Sequence, residues 1–144
     1  DRDPLAALDR VVELIRSAGE SAVRAVSPIV TAQYNEAAAS ALDRGASMEL
    51  VIDRAVLETS VEAFGPALDR ALSDDDATVY VAPEPIEYGL FRYDDLACVV
   101  AYDEHNNPRC LLESTDPTVL DWADDRFETL SAAATRLSTV VTES

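Results

Sequence analysis

The sequence contains no lysine, so all 11 of its basic residues are arginine, and they stand against 28 aspartates and glutamates. The formal net charge of −17 destabilises a compact chain by self-repulsion, unless salt shortens the Debye length to about 3 Å near 1 M. The acidic residues are spread over predicted turns and helix faces instead of forming one tail, which is typical of a hydrated surface. We interpret this balance as that of a halophilic protein in a salt-loaded cytoplasm. The alternative is an ordinary acidic bacterial protein.

Residues that build catalytic and metal sites are scarce. One histidine and two cysteines are too few for the usual zinc sites, and the four glycines are too isolated to form a phosphate-binding loop. His105 falls in the predicted hairpin turn EHNNP, where a solvated side chain is expected. Phosphodiesterase chemistry of the phospholipase D type needs a histidine and a lysine, and the missing lysine excludes it. We therefore expect no enzyme activity, no metal site and no cofactor.

Long apolar runs are also missing. No stretch of about 18 apolar residues is present to span a membrane, and no basic segment followed by an apolar one resembles a signal peptide. The length of 144 residues and the 48% hydrophobic content fit one globular domain. The chain begins at Asp1 with a helix signal, so we expect residues 1–144 to be one domain, the C-terminal part of a longer cytoplasmic protein.

The first half of the chain alternates between helix and strand signals. The predicted elements are an N-terminal helix that begins at Asp3 and Pro4, a strand at 21–26, a helix at 30–44, a strand at 48–53, and two short helices separated at Gly65 and Pro66. Such alternation predicts parallel strands joined by crossover helices.

The second half predicts antiparallel pairing. Strands are expected at 78–82, 88–93, 97–102 and 109–114, the last two as a hairpin, before a closing helix that starts at Asp116 and Pro117 and runs to Val141. The predicted fold class is α/β, with a mixed sheet, a βαβα first half, an antiparallel hairpin in the second half, and flanking N- and C-terminal helices.

Two residue pairs suggest chemistry at first sight. Cys98 and Cys110 lie on neighbouring predicted strands, but the turn length places Cys98 opposite a residue near 113, too far from Cys110 for a disulfide. We expect both to be buried small side chains. Asp94 and Asp95 could bind a divalent cation in an enzyme, and this is a remote alternative, because most adjacent acids in so acidic a chain are simply solvated.

Apolar stripes run along both terminal helices. They comprise Leu5, Leu8, Val12 and Ile15 at one end, and Leu130 and Leu137 at the other. At this spacing, the stripes can either form a helical bundle between two protomers or cover the sheet of their own chain.

Residues 77–127 carry several motifs in a fixed order. They are Pro85, then Tyr88, Gly89 and Leu90, then Asp94 and Asp95, then Ser114, Asp116 and Pro117, then Trp122, Ala123 and Phe127, with DPLA at residues 3–6 opening the chain. With these motifs the chain resembles the C-terminal sensor domain of haloarchaeal winged-helix transcriptional regulators of the FilR type, named after a regulator of methanogenesis and filamentation. The resemblance covers nearly the whole chain.

The resemblance implies a module related in fold to half of a phospholipase D domain and reused for small-molecule sensing or dimerisation. It also implies that DNA is bound by an N-terminal winged helix that this sequence does not contain. The acidic composition is consistent with DNA binding outside this domain, because an acidic surface would repel the phosphates of DNA. We expect a ligand-sensing, dimerising domain of a halophilic archaeal regulator. The alternative is a purely structural dimerisation domain.

A ligand of such a sheet is expected beyond the carboxyl ends of its parallel strands. The candidate ligand-binding residues at and near these ends are Ser27, Asp53, Arg54, Tyr88, Phe91, Tyr93 and Asp94. Arg54 would pair with a carboxylate or phosphate of an effector, and the aromatic side chains would form the walls. The alternatives are core packing for the aromatic residues and a surface ion pair for Arg54.

Overall fold

The computed structural model describes residues 12–13, 22–93, 95–103 and 108–137. The elements in these ranges are β1 (Ala22–Val26), α1 (Ala32–Asp43), β2 (Ser47–Ile52), α2 (Arg54–Ala63), α3 (Gly65–Ser73), β3 (Ala77–Val81), β4 (Tyr88–Tyr93), β5 (Leu96–Tyr102), β6 (Pro108–Ser114), α4 (Pro117–Ala133) and β7 (Thr135–Arg136). None of these helices is long and apolar enough to cross a membrane.

The strands form one sheet in the order β6-β5-β4-β1-β2-β3-β7. Strands β1, β2 and β3 are parallel, whereas β4 runs antiparallel to β1, and β5 and β6 continue the antiparallel pairing. The predicted α/β class, with a parallel first half and an antiparallel second half, is confirmed. The predicted break at Gly65 and Pro66 is also confirmed, since α2 ends at Ala63 and α3 begins at Gly65.

Helices cover both faces of the sheet. On one face, α1 packs Tyr34 and Ala37 against Phe91, and α2 and α3 continue this layer over β2 and β3. On the other face, α4 packs Ala123 and Phe127 against the middle of the sheet. The central strands are therefore covered on both sides, in agreement with the continuous apolar run of β5. In β1, Arg24 interrupts the apolar residues.

Two arginines of the sheet hold α4 in place. Arg24 lies 3.6 Å from carboxylate oxygens of both Asp124 and Glu128, and the Nε of Arg92 lies 3.3 Å from Asp124. The guanidinium of Arg24 also lies 5.3 Å from the centre of the Phe127 ring, a cation–π contact. Because α4 forms one wall of the site described below, these contacts fix that wall relative to β1 and β4.

The carboxylate of Asp53 joins two segments that are far apart in sequence. Its Oδ1 accepts a 3.0 Å hydrogen bond from the backbone N–H of Val56 and so caps α2, and its Oδ2 accepts one of 3.0 Å from the N–H of Ile86. Asp53 is only 7% exposed, so both oxygens are bound inside the protein. The loop before β4 is thereby tied to the start of α2.

The C-terminal helix is shorter than predicted. Helix α4 ends at Ala133, and Thr135 and Arg136 then pair antiparallel with β3. The apolar period continues through Leu137 because this side chain, 0% exposed, completes a core cluster with Val79 and Val81. The short strand covers an edge of β3 that would otherwise expose unpaired backbone groups. Val141, the predicted helix end, lies outside the described residues.

The terminal stripes contribute to the core of their own chain wherever the structure describes them. Val12 packs against the cluster under α1, Leu130 packs against the cluster under α4, and Leu137 is buried. Leu5, Leu8 and Ile15 lie outside the described residues. Covering the sheet is thus one role of these stripes, and dimerisation through them stays a prediction.

The hairpin has the register inferred from its turn length. Cys98 is paired with Glu113, and Cys110 is paired with Ala101, so the two cysteines are not opposite each other. Cys98 is buried, as expected. His105, at the predicted turn, lies outside the described residues.

We predict that Leu137→Ala lowers the free energy of unfolding by about 2–5 kcal/mol, because it leaves a cavity in a closed cluster. Denaturant unfolding in molar potassium chloride measures the change. Leu112→Ala is the control, since its side chain is 58% exposed and should cost no more than about 0.5 kcal/mol. Unchanged stability with weakened self-association would instead place Leu137 in a dimer interface.

We further predict that Asp53→Ala costs about 2–3 kcal/mol, since it removes a helix cap and also leaves the Ile86 N–H without its acceptor. The control is Asp116→Ala, because Asp116 is an exposed cap of α4 that accepts one bond, from Thr118, and should cost about 1 kcal/mol. Unfolding curves of the two variants give the comparison. Equal losses would mean that the Ile86 bond adds nothing to stability.

Candidate functional site

The carboxyl ends of the three parallel strands lie at one edge of the sheet. Ser27 and Ala82 follow β1 and β3 there, and their N–H groups bond to the carbonyls of Val51 at 3.0 Å and Ile52 at 2.7 Å. Because β4 is antiparallel to β1, its first residue, Tyr88, lies at this same edge. The carboxyl ends of β1, β2 and β3 and the amino end of β4 therefore lie at the same edge of the sheet.

A cleft of about 420 Å³ lies at this edge, between the loop before β4 and the last two turns of α4. Its lining residues are Ala82, Pro83, Glu84, Pro85, Ile86, Glu87 and Tyr88 from the loop, and Arg126, Thr129, Leu130 and Ala133 from α4. The volume lies within the usual range for small-molecule sites, about 300–1,000 Å³. The prolines restrict the loop, and Asp53 binds it at Ile86, so this wall has a defined shape.

Tyr88 and Arg126 form a hydrogen-bonded pair in the lining of the cleft. The Nε–H of Arg126 donates a 2.6 Å hydrogen bond to the Tyr88 hydroxyl, and its guanidinium carbon lies 6.0 Å from the centre of the ring. The Tyr88 side chain also packs against the core cluster under α4, which fixes the ring. A guanidinium has five N–H donors, so Arg126 has the chemistry to bind oxygen atoms of a ligand while it contacts Tyr88.

Asp53 and Arg54 lie at this edge in different environments. Asp53 is buried and binds the two backbone N–H groups already described, so its role in the structure is to position the loop. Arg54 is exposed and lines a separate recess of about 80 Å³ with Val81, Ala82 and Thr135. The two recesses meet at Ala82 and Pro83, which line both.

Ser27 belongs to a buried hydroxyl network on the other face of the sheet. Its hydroxyl donates to the carbonyl of Ile29 at 2.8 Å and is hydrogen-bonded to Tyr102. The hydroxyls of Tyr102 and Tyr34 lie 2.9 Å apart. Burial raises the pKa of Tyr34 to about 12 and also raises the pKa of Tyr102. This network is uncharged at neutral pH and fixes α1 on the sheet.

The other predicted aromatic residues do not join the cleft. Phe91 and Tyr93 point to the face that α1 covers, whereas Tyr88 points to the face under α4. Tyr93 ends β4, at the edge of the sheet opposite to the cleft. Asp94 lies outside the described residues. The structure thus brings Asp53, Arg54 and Tyr88 to one edge and separates Phe91 and Tyr93 from them.

Sequence reasoning missed Arg126. It is the one basic residue between Asp116 and Ala133, and this isolation in an acidic helix is a signal that could have been used. Its partner Tyr88 is 38 positions away, so only the packing of α4 on the sheet brings the two side chains together.

Gly89, part of the motif quoted above, has a packing reason. A Cβ at this position would lie 3.1 Å from the hydroxyl of Tyr102 and 3.2 Å from a carbon of its ring. Glycine therefore leaves room for the Tyr102 side chain to cross β4 on the face that α1 covers. The neighbouring residue on β5 is Val100.

The cleft has the groups of a binding site. Tyr88 and Arg126 offer hydrogen-bond donors, Glu84 and Glu87 offer carboxylates, and Ile86 gives apolar surface. Across the part of the chain that the structure describes, no group of three or more histidine, cysteine, aspartate or glutamate side chains could bind a metal ion. The arrangement can hold a small molecule by hydrogen bonds and apolar contact.

Comparison with known structures supports this fold. The archaeal chromatin protein TrmBL2, whose structure is described as showing a novel mode of DNA binding, superposes with a TM-score of 0.74 over 94% of this chain at 11% identity. The chain spans 52% of the TrmBL2 chain. Nuc from Salmonella typhimurium, described as a phospholipase D family member, gives a TM-score of 0.65 at 11% identity, with 90% of each chain covered. Such low identities establish the fold alone.

Two further comparisons concern the sequence. Comparison with curated proteins gives no match. A family model described as "Methanogenesis regulatory protein FilR1, middle domain" matches residues 4–133. The description calls the region a middle domain, whereas the sequence predicts a C-terminal one, and its place in a longer chain stays a prediction. Since the match covers most of the chain, the protein belongs to the FilR1 middle-domain family, a regulatory domain of archaeal regulators.

Proposed function

We propose that this domain binds a small-molecule effector in the cleft between the loop at 82–88 and α4, and thereby controls a halophilic archaeal transcriptional regulator in the cytoplasm. The observation that carries the proposal is the pairing of Tyr88 with Arg126 in the lining of a cleft of about 420 Å³. Membership of a regulator family supports the regulatory part of the proposal.

The lining favours an effector with both polar and apolar parts. Arg126 can donate to a hydroxyl, carbonyl or carboxylate oxygen, and the carboxylates of Glu84 and Glu87 can accept from hydroxyl or amino groups at the rim. Ile86 and Leu130 provide apolar surface between these groups. A highly charged polyanion is disfavoured, because the two glutamates and the net charge of −17 would repel it.

The two walls of the cleft suggest how binding would be transmitted. The loop is joined to α2 through Asp53, and α4 is joined to the sheet through Arg24 and Arg92. A ligand that contacts both walls favours the arrangement in which they are close and shifts the population towards it. In a homodimer, such a shift would change the spacing of DNA-binding winged helices carried by the longer chain. The acidic domain itself would not contact DNA.

We predict that a thermal-shift screen of central metabolites, in molar potassium chloride, finds a stabilising ligand. At about 100 times its dissociation constant, the ligand should add about 2.7 kcal/mol of stability. Arg126→Ala should weaken binding at least about tenfold, because it removes a charge-assisted hydrogen bond worth about 1.5–3 kcal/mol. Tyr88→Phe should give a smaller loss, and Arg54→Ala tests whether the ligand extends into the neighbouring recess.

The matched control for Arg126→Ala is Arg44→Ala. Arg44 is exposed at the end of α1, where it contacts Ser40, so its removal changes the charge equally without touching the cleft. Equal binding by the two variants would reject the cleft as the effector site. A screen without any shift, together with a stable dimer in light scattering, would replace the proposal with the structural dimerisation domain.

The halophilic part of the proposal has a separate test. We predict that raising potassium chloride from 0.1 M to 2 M increases the free energy of unfolding by at least about 1 kcal/mol, because salt screens the acidic surface. The control changes four exposed acids, Glu58, Glu62, Asp121 and Asp125, to their amides and should reduce this salt dependence. Stability that does not rise with salt would contradict the halophilic interpretation.

A further inference from the structure

A second cavity, of about 100 Å³, lies between the sheet and the helices on the face opposite to α4, and it is partly open to solvent. It is bounded by the sheet below and by α1, α2 and α3 above, and its lining includes Leu50, Ile52, Val79, Val56 and Leu68. The effector cleft proposed above lies between the loop at 82–88 and α4, and the two sets of lining residues do not overlap. The cavity is therefore a separate space.

The cavity exists because the helices present small side chains to it. Ala38 on α1, Ser60 on α2, and Ala67 and Ala71 on α3 all line it. The sheet lines the cavity mainly with larger apolar residues, among them Met48, Leu50 and Phe91. Close packing is the rule in protein interiors, and an apolar space of this size is the kind that can hold a small organic molecule.

One lining residue offers a specific polar contact. Asn35 lies on α1, and its Nδ2 is buried and has no hydrogen-bond partner among the described residues. Buried donors are nearly always hydrogen-bonded, and leaving one unpaired is unfavourable. A ligand with a hydrogen-bond acceptor near Asn35 would remove this penalty.

The lining also limits the charge of the ligand. Every lining residue in the part of the chain that the structure describes is uncharged, so an ion would enter without a partner and would lose its hydration. The volume limits the size, because a cavity of about 150 Å³ accommodates benzene. Benzene has six non-hydrogen atoms, so this cavity of about 100 Å³ suits a smaller molecule, of about four non-hydrogen atoms.

We propose that this cavity is a second ligand site, which takes a small, neutral, largely apolar molecule with one hydrogen-bond acceptor bound by the Asn35 amide. Acetone and carbonyl compounds of similar size have this chemistry. The inference stands on the cavity and on Asn35, and it does not depend on the effector cleft.

The test is a titration of the methyl-labelled domain with two probes of similar shape, followed by NMR in molar potassium chloride. Acetone has the acceptor, and 2-methylpropane, which has the same number of non-hydrogen atoms, lacks it. We expect the methyl signals of Ile52, Val56 and Leu68 to shift saturably. We also expect Asn35→Leu to weaken binding of the ketone relative to that of the hydrocarbon. The ratio of the ketone's dissociation constant to the hydrocarbon's should rise about threefold to tenfold, which is the effect of losing one hydrogen bond.

Two variants that fill the cavity, Ala38→Leu and Ala67→Leu, should abolish the shifts without lowering Tm, and Arg126→Ala should leave them unchanged. If neither filled variant folds, the Asn35→Leu comparison decides. The proposal is overturned if neither probe shifts these methyl signals at any concentration at which the domain stays folded. It is also overturned if the shifts persist in a folded filled variant, or if Asn35→Leu leaves the ratio unchanged.

Discussion

The buried carboxylate of Asp53 is the interaction on which the arrangement of the site depends. It accepts hydrogen bonds from Val56 and Ile86, at 3.0 Å each, and so joins the start of α2 to a loop 33 residues later. A loop with prolines at 83 and 85 can offer few backbone donors, since proline lacks an N–H. The bond to Ile86 therefore fixes the wall that faces α4, and the cleft between them keeps a defined shape.

The architecture was largely predictable because it follows from local signals. Alternating elements indicated the parallel strands, and the turn length gave the register that separates Cys98 from Cys110. The end of α4 was not predictable from the apolar spacing. Leu137 continues the helical period and is buried, although the chain has already left α4 and formed β7 before it. Periodicity reports that a side chain is buried, and it does not report which backbone conformation buries it.

The site was predictable only at the level of the sheet edge. The rule that ligands bind at the carboxyl ends of parallel strands located the edge that carries Asp53, Arg54 and Tyr88. Side chains along a strand alternate between the two faces of the sheet, so their spacing in β4 already separates Tyr88 from Phe91 and Tyr93. The three residues were assigned to one ligand-binding wall only because all of them are aromatic. Arg126 could not be assigned, because its contact with Tyr88 exists only after α4 packs on the sheet.

Helix α2 connects the two ligand sites that we propose. Val56 and Ser60 line the cavity between the sheet and the helices, and the same helix begins at the Asp53 cap that holds the cleft loop through Ile86. A molecule that fills the cavity contacts α2 directly, so it changes the freedom of the helix whose first turn positions the loop. Thermodynamic linkage makes any such coupling reciprocal, and an effector in the cleft then changes the affinity of the cavity by the same factor.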